Sequence, residues 1–111
     1  MWKYKKEGGN SVVITPPKSI NYDNLEDFRK LIRELAESGC VNAVINMNKA
    51  IYIDSSGLGT LVKAAADLRH SGGDLRLSEV NSGITDILRI TSLHKVLKIY
   101  ENTESALASY G

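Results

Sequence analysis

The chain has 111 residues, 42% of them hydrophobic and 24% charged, and its 14 Lys and Arg against 13 Asp and Glu leave a net charge of +1. That length suits one domain with one core, and the balance lacks the basic excess of a nucleic-acid binder. The single cysteine, Cys40, excludes an intramolecular disulfide and a zinc site built on several thiolates.

A lone thiol suits a reducing cytoplasm, and its ordinary role is that of a small buried hydrophobe. The opening Met1-Trp2-Lys3-Tyr4-Lys5-Lys6 is not followed by the apolar run of a signal peptide. No stretch approaches the roughly 20 apolar residues of a membrane span. The expectation is a cytoplasmic protein that does not insert directly into a membrane.

Trp2 to Lys6 alternates large and charged residues, as a half-exposed strand does. Glu7-Gly8-Gly9-Asn10 is a turn, and Ser11 to Thr15 completes a hairpin that Pro16-Pro17 ends. Residues 22–38 carry Leu25, Phe28, Leu31, Ile32 and Leu35 at helical spacing. Asn21, Asp23 and Asn24 are the candidate caps of that helix, and Gly39 its stop. Ala43 to Met47 reads as a buried strand, and Ile51-Tyr52-Ile53 as a short one running into Asp54.

A second helix is expected from Ser56 to about His70, with its stripe at Leu58, Leu61, Val62, Ala65 and Leu68. Leu75 to Leu77 is a short strand. Asn81 or Ser82 caps a third helix carrying Ile84, Ile87, Leu88 and Ile90. Val96 to Tyr100 is a strand, and Thr103 caps a last helix over 104–109. Strands alternating with helices imply βαβ crossovers and a sheet with mainly parallel pairing inside. The expected fold is α/β: one domain over residues 1–111, a mixed sheet of about five strands, and about four helices packed mainly on one side.

The segment richest in chemistry is Asp54-Ser55-Ser56-Gly57-Leu58-Gly59, at a strand end where a helix begins. Hydroxyls and a carboxylate there can accept from the free first-turn N–H groups. Gly57 and Gly59 lack side chains that would hold another backbone away. One reading is a capped helix start with tight packing. The other is a phosphate switch, because a helix N-terminus tolerates an anion. A phosphate on Ser55 or Ser56 adds about −1.5 to −2 charges, beside the charge of Asp54. Local chemistry fits both readings.

No catalytic constellation accompanies this segment. His70 and His94 have neither metal-ligand spacing nor a nucleophile motif beside them, and there is no Gly-x-Ser-x-Gly elbow. A hydrolase or nucleotide-binding reading of Asp54 and Ser55 lacks a base for the serine. Lys3, Lys5 and Lys6 read as protection of an edge strand rather than a nucleic-acid platform.

The chain from about Ser11 to Ala108 resembles a STAS domain of the anti-sigma factor antagonist family. The resemblance is carried by Tyr52-Ile53-Asp54-Ser55-Ser56-Gly57-Leu58-Gly59-Thr60-Leu61. It is supported by Ser71 to Leu77, Ile87 to Leu93, Ile99-Tyr100 and Glu104 to Leu107. It implies a non-enzymatic binding module without a cofactor. The unphosphorylated form would capture an anti-sigma factor that is also a serine kinase, and so free a sigma factor. Phosphorylation of Ser55, with Ser56 as second choice, would end the capture, and a phosphoserine phosphatase would restore it.

ATP and Mg²⁺ would belong to the partner. Asp54, Ser55, Ser56, Gly57, Leu58, Gly59 and Asn21 would form the partner surface. The resemblance also allows a stand-alone subunit of a membrane transporter, docking on its ATPase or permease. One stretch departs from the family. Where members carry a Gly-x-Leu/Ile-Asp-like turn, this chain has Pro16-Pro17-Lys18-Ser19-Ile20-Asn21.

Overall fold

The computed structural model describes residues 1–111. Its strands are β1 (Lys3–Glu7), β2 (Ser11–Thr15), β3 (Ser19–Ile20), β4 (Asn42–Asn46), β5 (Tyr52–Ile53), β6 (Asp74–Ser78) and β7 (Ile99–Tyr100). Its helices are α1 (Leu25–Glu37), α2 (Ser55–His70), α3 (Ser82–Ile90) and α4 (Thr103–Ala108). The main sheet runs β1-β2-β4-β6-β7; only the β1–β2 hairpin is antiparallel. The alternation of strands and helices therefore led to the right class, an α/β domain on a mixed five-stranded sheet.

Two-residue alternation divides the sheet into two faces. Val12 and Ile14 on β2, Ala43 and Ile45 on β4, and Leu75 and Leu77 on β6 join one apolar core with Phe28, Ile32 and Leu35 of α1, Leu61, Ala65 and Leu68 of α2, and Ile84 and Leu88 of α3. The expected stripes of α1 and α2 are thus the faces these helices bury. On α3 the stripe divides, with Ile84 and Leu88 buried and Ile87 and Ile90 exposed.

The opposite face carries Val44 and Arg76, paired in register, and α4 covers it. The Arg76 guanidinium stacks 4.1 Å over the Tyr110 ring and donates to Ser109 Oγ at 2.6 Å. The Tyr110 hydroxyl is shared between the carbonyl oxygens of Ala43 and Asp74, at 2.6 and 3.0 Å. Burial raises the phenol's pKa well above its ordinary value. Buried Asp74 accepts from Arg69 Nε at 2.7 Å and Arg76 Nε at 3.1 Å, so its charge is paired from two sides.

Several expectations change, the first being the helix over 22–38, which opens as a 3₁₀ turn at Tyr22–Asn24 and becomes α1 only at Leu25. Val96 to Lys98 is not strand: a 3₁₀ turn at Leu93–Lys95 leads instead to Leu97, fully buried, and pairing begins at Ile99. The cap of α4 is Asn102, whose side chain accepts from the Ser105 amide; Thr103 spends its hydroxyl on Ser78 and Glu79. The stretch after Pro16-Pro17 contains β3, which pairs in parallel with β5 as a separate two-stranded ladder. That ladder carries the candidate site.

Gly73 shows how tightly α2 returns to the sheet. A Cβ there would lie 1.9 Å from the Val41 carbonyl oxygen, so any side chain must displace backbone. We expect Gly73→Ala to lower the free energy of unfolding by about 1–3 kcal/mol. Gly9→Ala, at a position with open space around it, should change it little; urea denaturation of both variants checks the contrast.

Candidate functional site

The site is built from the ladder upward. The Lys18 carbonyl accepts from the amides of Ile51 and Tyr52, at 2.8 and 3.2 Å, and the Ile20 carbonyl accepts from the Asp54 amide at 3.1 Å. These bonds deliver Asp54 to the N-cap of α2 with extended backbone. Its Oδ1 accepts from the Gly57 amide and from the Ser56 hydroxyl, both at 2.7 Å. Its Oδ2 accepts from the Tyr22 amide at 3.1 Å. One carboxylate thus closes the first turn of α2 and ties it to the 3₁₀ turn Tyr22–Asn24 that precedes α1.

Asn21 organises that second turn. Its Oδ1 accepts from the Asp23 amide at 2.9 Å, its Nδ2 donates to Ser19 Oγ at 2.9 Å, and its amide donates to Asn24 Oδ1 at 3.2 Å. From outside, Trp2 donates its indole N–H to the Asn24 carbonyl at 2.8 Å and packs its ring 4.6 Å from Phe28. Of the three candidate caps, Asn21 and Asn24 act together as a capping box on the 3₁₀ turn, whereas α1 itself starts at Leu25 without a side-chain cap. The polar groups of Asn21 are all engaged within the chain.

The two serines differ. Ser56 is half-buried and donates to Asp54, whereas Ser55 is exposed at the first position of the helix and its hydroxyl has no partner in the chain. The glycines differ as well. Gly59 is exposed, with open space where a side chain would begin. Gly57 is buried, and a Cβ there would lie 2.7 Å from Ile53 Cγ1 and 3.1 Å from the Ile20 carbonyl oxygen. Gly57 therefore seats α2 on the ladder, and Leu58 enters the core. Neither presents a side chain to a partner, because packing has already used them.

The loop's outer surface is instead Ser55 and Gly59, with Tyr22, Ile51 and Tyr52 exposed on the segments that its hydrogen bonds join. Sequence reasoning did not pick out those three as surface residues. Tyr52 was readable in one respect: it alternates with buried Ile53. Asn81 Nδ2 donates to the Ala50 carbonyl at 3.0 Å, tethering the start of α3 beside Ile51.

Hydrogen bonds from Ser56 and then Gly57 hold the Asp54 carboxyl below its ordinary pKa; burial opposes them, and the Tyr22 amide adds a smaller lowering. His70 ends the helix that Ser55 opens, about 22 Å away along its axis. It is out of reach as a base. His94 lies in the turn at Leu93–Lys95, its Nδ1 3.4 Å from the Leu88 carbonyl oxygen.

Fold and site together define a small α/β domain with an anion-tolerant helix start, one free serine hydroxyl and apolar side chains exposed around it. The profile of the STAS domain matches residues 2–106, and the chain belongs to that family. A Thermotoga maritima protein provisionally named an anti-sigma factor antagonist is 28% identical over 97 residues, covering 86% of each chain. The anti-sigma-B factor antagonist of Staphylococcus aureus is 25% identical over 99 residues, covering 89% of this chain and 83% of its own. The Bacillus cell fate determinant SpoIIAA, solved in unphosphorylated and phosphorylated forms, superposes with TM-scores of 0.84 and 0.77 at 17% and 16% identity. The alignments cover 99% and 100% of this chain and 96% and 100% of SpoIIAA. No helix is long and apolar enough to cross a membrane.

Asp54→Ala should lower the thermal midpoint at neutral pH, because it frees the Gly57 and Tyr22 amides and the Ser56 hydroxyl together. The folded-state pKa is depressed, so the stabilisation is complete above the unfolded value of about 3.9 and is lost as pH falls through the folded value. Thermal melts of wild type and Asp54→Ala at stepped pH should therefore converge in acid. A constant gap down to the lowest pH would remove the ionised carboxylate from the explanation.

Proposed function

We propose that this protein is an anti-sigma factor antagonist switched by phosphorylation of Ser55. The unphosphorylated form binds an anti-sigma factor that is also a serine kinase, and a sigma factor is released. The kinase then phosphorylates Ser55 and binding ends, until a phosphoserine phosphatase removes the group. The chain acts by binding, in the cytoplasm, and the nucleotide chemistry belongs to its partner.

The observation that carries this reading is the difference between the two serines. Ser55 offers an exposed, unengaged hydroxyl, while the hydroxyl of Ser56 is held by Asp54. A kinase taking Ser56 would first have to break that bond. Two further points support the reading: the names of the relatives, and the fact that SpoIIAA has been solved with and without its phosphate.

The electrostatics fit a switch. The start of α2 tolerates an added anion through its N–H groups and dipole, so the fold survives the modification. A partner seated over Ser55, Gly59, Tyr22 and Tyr52 would have to bury that charge. An unpaired buried charge costs several kcal/mol, and each ~1.4 kcal/mol is a tenfold loss of affinity.

Incubation with the cognate kinase and ATP should add one phosphate, found by intact mass. The gain should disappear in Ser55→Ala and persist in Ser56→Ala; a gain that survives Ser55→Ala refutes the assignment. Ser55→Asp should weaken capture of the anti-sigma factor about a hundredfold or more and leave the thermal midpoint nearly unchanged.

A further inference from the structure

A concavity lies between α1 and α2; Phe28, Ile32, Ala64 and Leu68 of the core close its base, and Gly59, which also belongs to the outer surface beside Ser55, lines one end. Its volume is about 610 Å³, within the range of sites that enclose small organic ligands. The two helices follow successive parallel strands and run side by side in the same sense. Arg29, near the start of α1, donates from Nη2 to Thr60 Oγ1, near the start of α2, at 3.3 Å. The Thr60 hydroxyl in turn donates to the Ser56 carbonyl at 2.8 Å, which fixes the acceptor that Arg29 uses. The guanidinium is thereby laid across the groove.

The groove is apolar along its floor and polarised along its length. Ile32, Ala36, Ala64 and Leu68 form the floor. Three cations line it: Arg29 and Arg33 on α1, and Lys63 at the middle of α2. Carboxylates stand one turn further on, Glu37 four residues after Arg33 and Asp67 four residues after Lys63. Arg29 meets Glu26, and Lys63 meets Asp67, each at 3.4 Å through solvent-exposed pairs. Such pairs hold their partners weakly. Arg33 has no carboxylate within ion-pair distance. A guanidinium is suited to a carboxylate by its fork of donors and its weak hydration.

We propose that this groove binds an amphipathic organic monoanion, a carboxylate head on an apolar body. The head lies among Arg29, Arg33 and Lys63, and the body covers Ile32, Ala36, Ala64 and Leu68. Glu37 and Asp67, one turn further along the groove, oppose the reversed orientation. The groove shares Gly59 with the Ser55 surface, but the side chains that would hold the ligand are not used by the switch reading, and the proposal stands whether or not Ser55 is phosphorylated.

Monomeric decanoate, decanol and decyltrimethylammonium are suitable probes, titrated calorimetrically into the full chain at low ionic strength. Decanoate should bind at one site per chain, at least about tenfold tighter than decanol, since a charge-assisted hydrogen bond is worth a factor of that order. Arg33→Gln should reduce decanoate binding about tenfold and leave decanol unchanged. Gly59→Leu adds bulk beside the groove, where apart from the backbone of its own helix nothing lies within 4 Å of a new Cβ. It also replaces a helical glycine by a better helix former. It should therefore abolish binding of both probes without lowering the thermal midpoint.

Equal affinity for the three probes, tighter binding of the cation, or decanoate binding indifferent to both substitutions would overturn the proposal. So would binding to phosphatidylglycerol vesicles without binding of monomeric decanoate, which would make the surface a membrane contact instead.

Discussion

The carboxylate of Asp54 is the interaction on which the site depends. Its two oxygens receive three donors from two segments of chain, and each donor fixes something different. The Gly57 amide sets the first turn of α2. The Ser56 hydroxyl is withdrawn from the surface. The Tyr22 amide brings the turn before α1 against the same point. Ser55 is left outside this network, and that is what singles it out. The burial of Gly57 against Ile20 and Ile53 then prevents the helix start from sliding on the ladder.

Much of the fold was legible because periodicity reports burial directly. Of the stripe Leu25, Phe28, Leu31, Ile32 and Leu35, all but the half-buried Leu31 became the buried face of α1, and Gly39, at φ +93°, follows its end as the stop signal suggested. The β3–β5 ladder was not legible, for a physical reason. Each strand is two residues long, too short for a period of two to repeat, and prolines precede the first. What singled out Pro16–Asn21 in the sequence was its departure from the family pattern. In the structure this stretch supplies Ile20 beneath Gly57, and Asn21 as the cap of the adjoining turn.

The site was legible as a place more than as a set of roles. Sequence alone could put a capped helix start at Asp54 to Gly59. It could not distribute the work, because Ser55 and Ser56 are identical in chemistry and differ only in whether Asp54 reaches them. The same holds for Gly57 and Gly59, one sealed against Ile53 and the other open to solvent. The cap of α4 shows a similar limit. Asn102 and Thr103 are both good capping types, and tertiary contacts with Ser78 and Glu79 draw the threonine hydroxyl away.

If Asp54 is the common anchor, the amides of Tyr22 and Gly57 are protected by one side chain although they belong to different elements. Amide hydrogen exchange followed by NMR in wild type and Asp54→Ala tests this directly. The expected result is simultaneous loss of protection at Tyr22 and Gly57, with protection in the central strand β4 retained. Protection at Tyr22 that persists while Gly57 exchanges freely would contradict the account, because the two turns would then be joined by something other than Asp54.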